Sequence, residues 1–157
     1  MSKVRIEMVD RREFLVIGGA AAAALTALSS GALAKADPSD AAAFLNELTK
    51  GAKPAEGKVK LEMPEIAENG ATVPLKVSVD SPMTEKDYCK SVTIIATKNP
   101  VAHICTFEFT PDSGKAWVSN RIRMAKTQEV WALAQMSDGS FHIGKTTVKV
   151  TIGGCGG

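Results

Sequence analysis

From Val59 onward the chain alternates apolar and polar residues, and this period of two limits its possible folds more than any other feature of the sequence. Val59, Leu61 and Met63 interleave with Lys58, Lys60 and Glu62, so one set of side chains faces a core and the other faces water, as in a strand. Lys58, Lys60 and Lys76 therefore read as outward strand positions. The pattern predicts strands over 58–63, 72–79, 91–97, 102–109, 116–124, 129–136 and 140–152. Turn residues separate them at Asn69-Gly70, Ser81-Pro82, Asn99-Pro100, Pro111-Asp112-Ser113-Gly114 and Asp138-Gly139. Short strands at this spacing predict an all-β, antiparallel β-sandwich. Asp138-Gly139 marks the clearest hairpin, because both turn positions tolerate positive φ. One helix precedes the strands: Ser39 or Asp40 caps Ala41–Thr49, which lines Phe44, Leu45 and Leu48 along one face and stops at Lys50-Gly51.

The first residues read differently. Asp10-Arg11-Arg12-Glu13-Phe14-Leu15 leads into an apolar, alanine-rich stretch from Val16 to Leu33 and then the small-residue site Ala32-Leu33-Ala34. This is the pattern of a cleaved export signal, residues 1–34, and the paired arginines point to the twin-arginine route and a periplasmic location. Ala34-Lys35-Ala36 is a rival cleavage site. A retained membrane anchor is the alternative, but Gly18, Gly19, Ser29, Ser30 and Gly31 dilute the apolar stretch, so no stable membrane association is expected. The rest of the chain fits one domain, 35–152, and a tail, 153–157. The chain carries 19 basic and 17 acidic residues, a net charge of +2. With the two signs interspersed, nothing favours nucleic acid as a partner.

The tail is Gly153-Gly154-Cys155-Gly156-Gly157, a thiol flanked by residues that have no Cβ. Glycine is a poor choice for holding a side chain still, so Gly153, Gly154, Gly156 and Gly157 read as flexibility residues. Three residues beyond Ile152 reach about 10 Å, at roughly 3.3 to 3.6 Å per extended residue. A narrow active site belonging to another protein can then admit the sulfur. No Lys, Arg or His lies closer to Cys155 than Lys149, and a nearby terminal carboxylate disfavours a thiolate, so the thiol is not equipped to catalyse alone. Two further cysteines, Cys89 and Cys105, flank one predicted hairpin. They form either a disulfide, closing a loop worth roughly 3 kcal/mol on chain-entropy arithmetic, or two buried free thiols. A turn centred between Lys98 and Asn99 would set Cys89 opposite Glu108, about three residues off Cys105, which argues against the bridge. On either reading Cys155 is left over.

Other chemistry-bearing residues are few. His103 and His142 have no Cys or His at metal-ligand spacing, so they read as sheet residues, and no metal is expected. Arg121 and Arg123 share a strand face that suits an anionic ligand or, more simply, water. Trp117, Trp131, Phe107, Phe109 and Phe141 read as core residues, with a partner interface as the alternative.

Taken together, the terminal Gly-Gly-Cys-Gly-Gly after Lys149-Val150-Thr151-Ile152, the twin-arginine signal and the strand-rich body resemble the SoxY family of the periplasmic thiosulfate-oxidising (Sox) system. Met63-Pro64-Glu65-Ile66-Ala67-Glu68-Asn69-Gly70, Val79-Asp80-Ser81-Pro82-Met83, Phe109-Thr110-Pro111, Thr127-Gln128 and Ser137-Asp138-Gly139-Ser140-Phe141 are similar to that family as well. The resemblance implies an immunoglobulin-like sandwich paired with a SoxZ-like β-sandwich subunit. It further implies that Cys155 is the covalent attachment point for thiosulfate-derived sulfur, with no other cofactor, and that the chain is a carrier rather than an enzyme. The transient partners it implies are the c-type cytochrome SoxXA, which conjugates thiosulfate oxidatively, the hydrolase SoxB, which releases sulfate, and a sulfane dehydrogenase. Cys89 and Cys105 are departures that a carrier does not need. Two other readings stand beside it: an exported immunoglobulin-like interaction module with an interchain disulfide at Cys155, and a redox enzyme using Cys89 and Cys105 as a dithiol.

Overall fold

A computed structural model of the chain describes residues 40–154. Residues 1–39, which include the predicted export signal, and Cys155, Gly156 and Gly157 lie outside the described residues. Asp40 opens helix α1 (Ala41–Thr49), its carboxylate accepting from the amides of Ala42 at 3.1 Å and Ala43 at 2.9 Å. Lys50 and Gly51, both at positive φ, close the helix as the sequence predicts. The strands are β1 (Ala55–Glu56), β2 (Val59–Glu62), β3 (Ile66–Asn69), β4 (Val73–Val79), β5 (Cys89–Ala96), β6 (His103–Glu108), β7 (Trp117–Ile122), β8 (Gln128–Met136) and β9 (Phe141–Ile152). Every predicted strand is present, with β1 and β3 in addition.

The strands form two layers. The larger sheet runs β1-β9-β8-β5-β6, and β3 also lies along β9; the smaller runs β2-β4-β7. All pairs are antiparallel except β1 with β9 and β3 with β9, which are parallel. On β4 the alternation is complete: Val73, Leu75, Val77 and Val79 are buried while Pro74 and Lys76 are exposed. Pro74 falls where β2 has ended and only β7 runs alongside, a place where a residue without an N–H is tolerated. Facing this row across the sandwich are Val92 and Ile94 of β5 and Val130, Ala132, Ala134 and Met136 of β8. A bulge between Cys89 and Ser91 brings Cys89 onto the same inner face as Val92.

Strand β5 does not alternate, because α1 covers the outer face of the sheet. Ile95, on that face, is fully buried with Ala41 and Ala102 and packs against Phe44, Leu45, Leu48 and Trp131. The fully buried side chains between the sheets are not aromatic, but Phe107 and Phe109 pack half-buried against them and Trp131 packs against the cluster under the helix, as the core reading expects. Trp117, 54 % exposed, and Phe141 belong to neither cluster, which corrects the core expectation for those two. The β8–β9 hairpin also differs from expectation. Met136 donates to Ser140 at 2.9 Å across three residues, and of Asp138 and Gly139 only Gly139 takes a positive φ, 85°, the geometry of a three-residue loop.

Candidate functional site

The site is the place where β9 delivers the chain to Cys155. Along most of its length β9 is held by β8, as far as Gln128 opposite Val148. Beyond that point β3 takes over on the other side, with Ile66 opposite Lys149, Ala67 opposite Val150 and Asn69 opposite Ile152. The Val150 amide donates to Thr127 Oγ1 at 3.0 Å. A backbone relay then secures the last residues. Gly70 N–H donates to the Ile152 carbonyl at 2.7 Å, Met124 N–H to the Gly70 carbonyl at 2.8 Å, and Gly154 N–H to the Met124 carbonyl at 2.9 Å. Asn69 shapes its side of the relay by accepting the Ala71 amide at 2.8 Å.

The relay gives Gly153 and Gly154 a second role beside the flexibility read from the sequence. A Cβ on Gly153 would run into the Ala125 carbonyl oxygen, and one on Gly154 into the backbone of Gly70 and Ala71. On Gly70 it would strike the Met124 carbonyl oxygen and lie 2.7 Å from the Gly154 nitrogen. These three glycines permit close backbone approach. The sequence shows that the tail is glycine-rich, but not that its first two glycines have backbone packed against them.

A buried amide pair underlies the relay. Asn99, 5 % exposed, donates to the Arg123 carbonyl at 2.8 Å and accepts the Ala125 amide at 2.9 Å. It also accepts the side-chain amide of Gln128, 2 % exposed, at 2.7 Å. Gln128 in turn donates to the Lys126 carbonyl at 3.1 Å and accepts the Lys98 amide at 2.7 Å. Buried amides satisfied on both ends hold a loop in one conformation, here residues 123–127, on which the end of β9 rests. Sequence reasoning marked Asn99 only as a turn residue and missed Gln128, Met124 and Ala125 in this role.

The other two thiols belong to the body. Ser91, not Cys89, faces Glu108, and Cys105 faces Ile94. Five positions of strand, roughly 16 Å at about 3.3 Å per residue, separate the two cysteines in register, against a Cα separation under about 7 Å for a disulfide. The Cys89–Cys105 bridge is therefore ruled out, and both are free thiols. Burial pushes the Cys89 thiol up to about 11, and burial also raises that of Cys105. Cys105 lines a cleft of about 440 Å³, shared with Ile104, Arg121, Ile122 and Arg123, where the edges β6 and β7 meet. Both arginines are solvent-exposed. His103 Nε2 lies 3.1 Å from Thr106 Oγ1, and its ring packs 5.4 Å from that of Phe44, while His142 is a half-buried β9 residue beside Ala134. Among the described residues no three His, Cys, Asp or Glu side chains converge as metal ligands would.

Comparison with known proteins places this architecture. The sequence model of the family described as "Sulfur oxidation protein SoxY" matches residues 45–155. The chain belongs to the SoxY family. The match runs from the middle of α1 through the whole sandwich and the relay to Cys155. Among solved structures, the sulfur carrier protein SoxY from Chlorobium limicola f thiosulfatophilum is 28% identical, with a TM-score of 0.58, over 69% of this chain and 89% of that one. A superoxide reductase (neelaredoxin) from Ignicoccus hospitalis superposes with a TM-score of 0.53 at 16% identity, over 60% of this chain and 80% of that one. A putative superoxide reductase from Thermotoga maritima gives 0.51 at 15%, over 66% and 89%. The two reductases share the sandwich alone. Comparison with the curated proteins finds no match.

Proposed function

We propose that this SoxY-family chain carries thiosulfate-derived sulfur covalently on Cys155 and presents it to separate enzymes in the periplasm. The observation that carries the reading is the placement of the other two cysteines. Cys89 and Cys105 are built into the body as free thiols whose burial keeps them protonated, so neither is a competing nucleophile at neutral pH. Cys155 is the thiol left for the chemistry. In the loading step the Cys155 S–H bond breaks and an S–S bond to the outer sulfur of thiosulfate forms. One proton is released, and two electrons pass to a c-type cytochrome of the SoxXA kind. Water then cleaves the S–SO₃ bond on a SoxB-like hydrolase, releasing sulfate and one proton and leaving a persulfide, –S–SH, on Cys155. A sulfane dehydrogenase oxidises that sulfur or passes it on. The chain supplies the thiol and its presentation, and the partners supply the catalysis; a SoxZ-like sandwich is its standing partner.

Intact-mass and peptide mass analysis of the protein from thiosulfate-grown cells tests this. The peptide containing Cys155 is expected to carry thiosulfonate, persulfide or longer sulfane additions that a thiol reductant removes, and Cys155→Ser should abolish them. A peptide recovered only as free thiol, or as a disulfide-linked dimer, would favour the interchain-staple module.

A further inference from the structure

We propose that the end of β9 is a fixed mount, in which Gly70, Gly153 and Gly154 are positioning residues, so that the reach of the Cys155 thiol is counted from Gly154 and not from Ile152. The inference rests on the carrier reading for its consequence but on the fold for its geometry. None of the three glycines is at a positive φ, so no turn conformation demands them. What excludes a side chain in each case is backbone on the facing segment: the Met124 and Ala125 carbonyls, and the Gly70-Ala71 peptide. The Gly154 amide is spent on the Met124 carbonyl at 2.9 Å, and the loop that provides it is held by the buried side chains of Asn99 and Gln128. The mount thus joins three stretches distant in sequence: the β3–β4 turn, the β7–β8 loop and the last residues of β9.

The mount shortens the arm. Counted from Ile152 the thiol has three extended residues of reach, about 10 Å; counted from Gly154 it has one, about 3.8 Å between α-carbons. An enzyme that works on Cys155 with the mount closed must seat its active site directly over the Asn69–Ala71 turn and the Arg123–Lys126 loop. The mount is then part of what the enzyme recognises, and releasing it misplaces the thiol even though the thiol becomes freer. Misplacement of a reacting group by an ångström or more lowers the rate steeply.

The test measures amide hydrogen exchange at Gly154 by NMR on the full chain, alongside the rate at which the partner cytochrome loads Cys155 with thiosulfate. In the wild type the Gly154 amide should exchange at least about tenfold more slowly than an unstructured glycine. Gly154→Ala and, independently, Gly70→Ala should abolish that protection, whereas Gly156→Ala should leave it intact. The same two variants should lower the loading rate at least about tenfold while alkylation of Cys155 by a small reagent holds or rises. That split would not arise from a general loss of structure, and an unchanged melting temperature for Gly154→Ala checks the body. A Gly154 amide that exchanges freely in the wild type, or loading undiminished in both variants, overturns the mount. If Gly154 is protected but no sulfur ever appears on Cys155, the mount stands and the carrier reading falls.

Discussion

Cys89 shows how one residue's surroundings become a property of the protein. Its sulfur is fully buried on the inner face and donates to the Ser91 carbonyl at 3.5 Å, and the loss of water raises its thiol from 9.0 to about 11. The folded chain therefore keeps a proton that the unfolded chain gives up between those values. Its stability contribution is complete below about pH 9 and is lost as pH climbs toward 11, a term on the order of 2 kcal/mol. Urea midpoints measured near pH 8 and pH 10.5 should fall further for the wild type than for Cys89→Ala; parallel falls would show that the thiol does not report burial. The sequence did set a third cysteine, Cys155, apart from the predicted strands and raised doubt about the bridge. It did not reveal the register, because the β5–β6 connection is longer than a two-residue turn, with the Ala96 amide donating to the Ala102 carbonyl, and an irregularity between Ile94 and Ile95 shifts the pairing by one residue.

At the level of elements, local pattern was legible and contact across distance was not. The period of two located the longer strands, and the Asp40 cap with Lys50-Gly51 bounded α1, since these signals lie within a few neighbouring residues. Strands β1 and β3 escaped because two and four residues are too few to establish a period, and what defines them is parallel pairing to β9, far along the chain. β5 lost its alternation to the helix that covers it. The loop after β7 is the sharpest case. Its conformation is held by Asn99 across separations of 24 and 26 residues, a relation no local window contains. Asn99→Ala would leave the Arg123 carbonyl, the Ala125 amide and one side of Gln128 without partners in a nearly dry site. The expected cost is about 2 to 4 kcal/mol in urea unfolding, well above a typical surface change. A loss below about 0.5 kcal/mol would mean that water replaces the side chain and that the loop is not held as described.

Across the whole molecule, the body and the carrier cysteine divide the work. Within residues 40–154 the two sheets and two apolar clusters form a core separate from the residue proposed to carry sulfur. That independence bears on export. The twin-arginine route that Arg11 and Arg12 predict transports folded cargo. We propose that the reason for the route is a partner: a SoxZ-like subunit folds onto this chain before transport and crosses with it on the signal at Arg11 and Arg12. Replacing both arginines, Arg11→Lys with Arg12→Lys, should then hold back the two subunits together, and periplasmic fractions assayed for each should lose both in the same proportion. Loss of this chain with normal arrival of the SoxZ-like subunit would show that the partner travels alone, and normal arrival of both would remove the twin-arginine reading itself. Restoring export of the variant through an unrelated twin-arginine signal separates the address from the cargo, because co-export should return along with it.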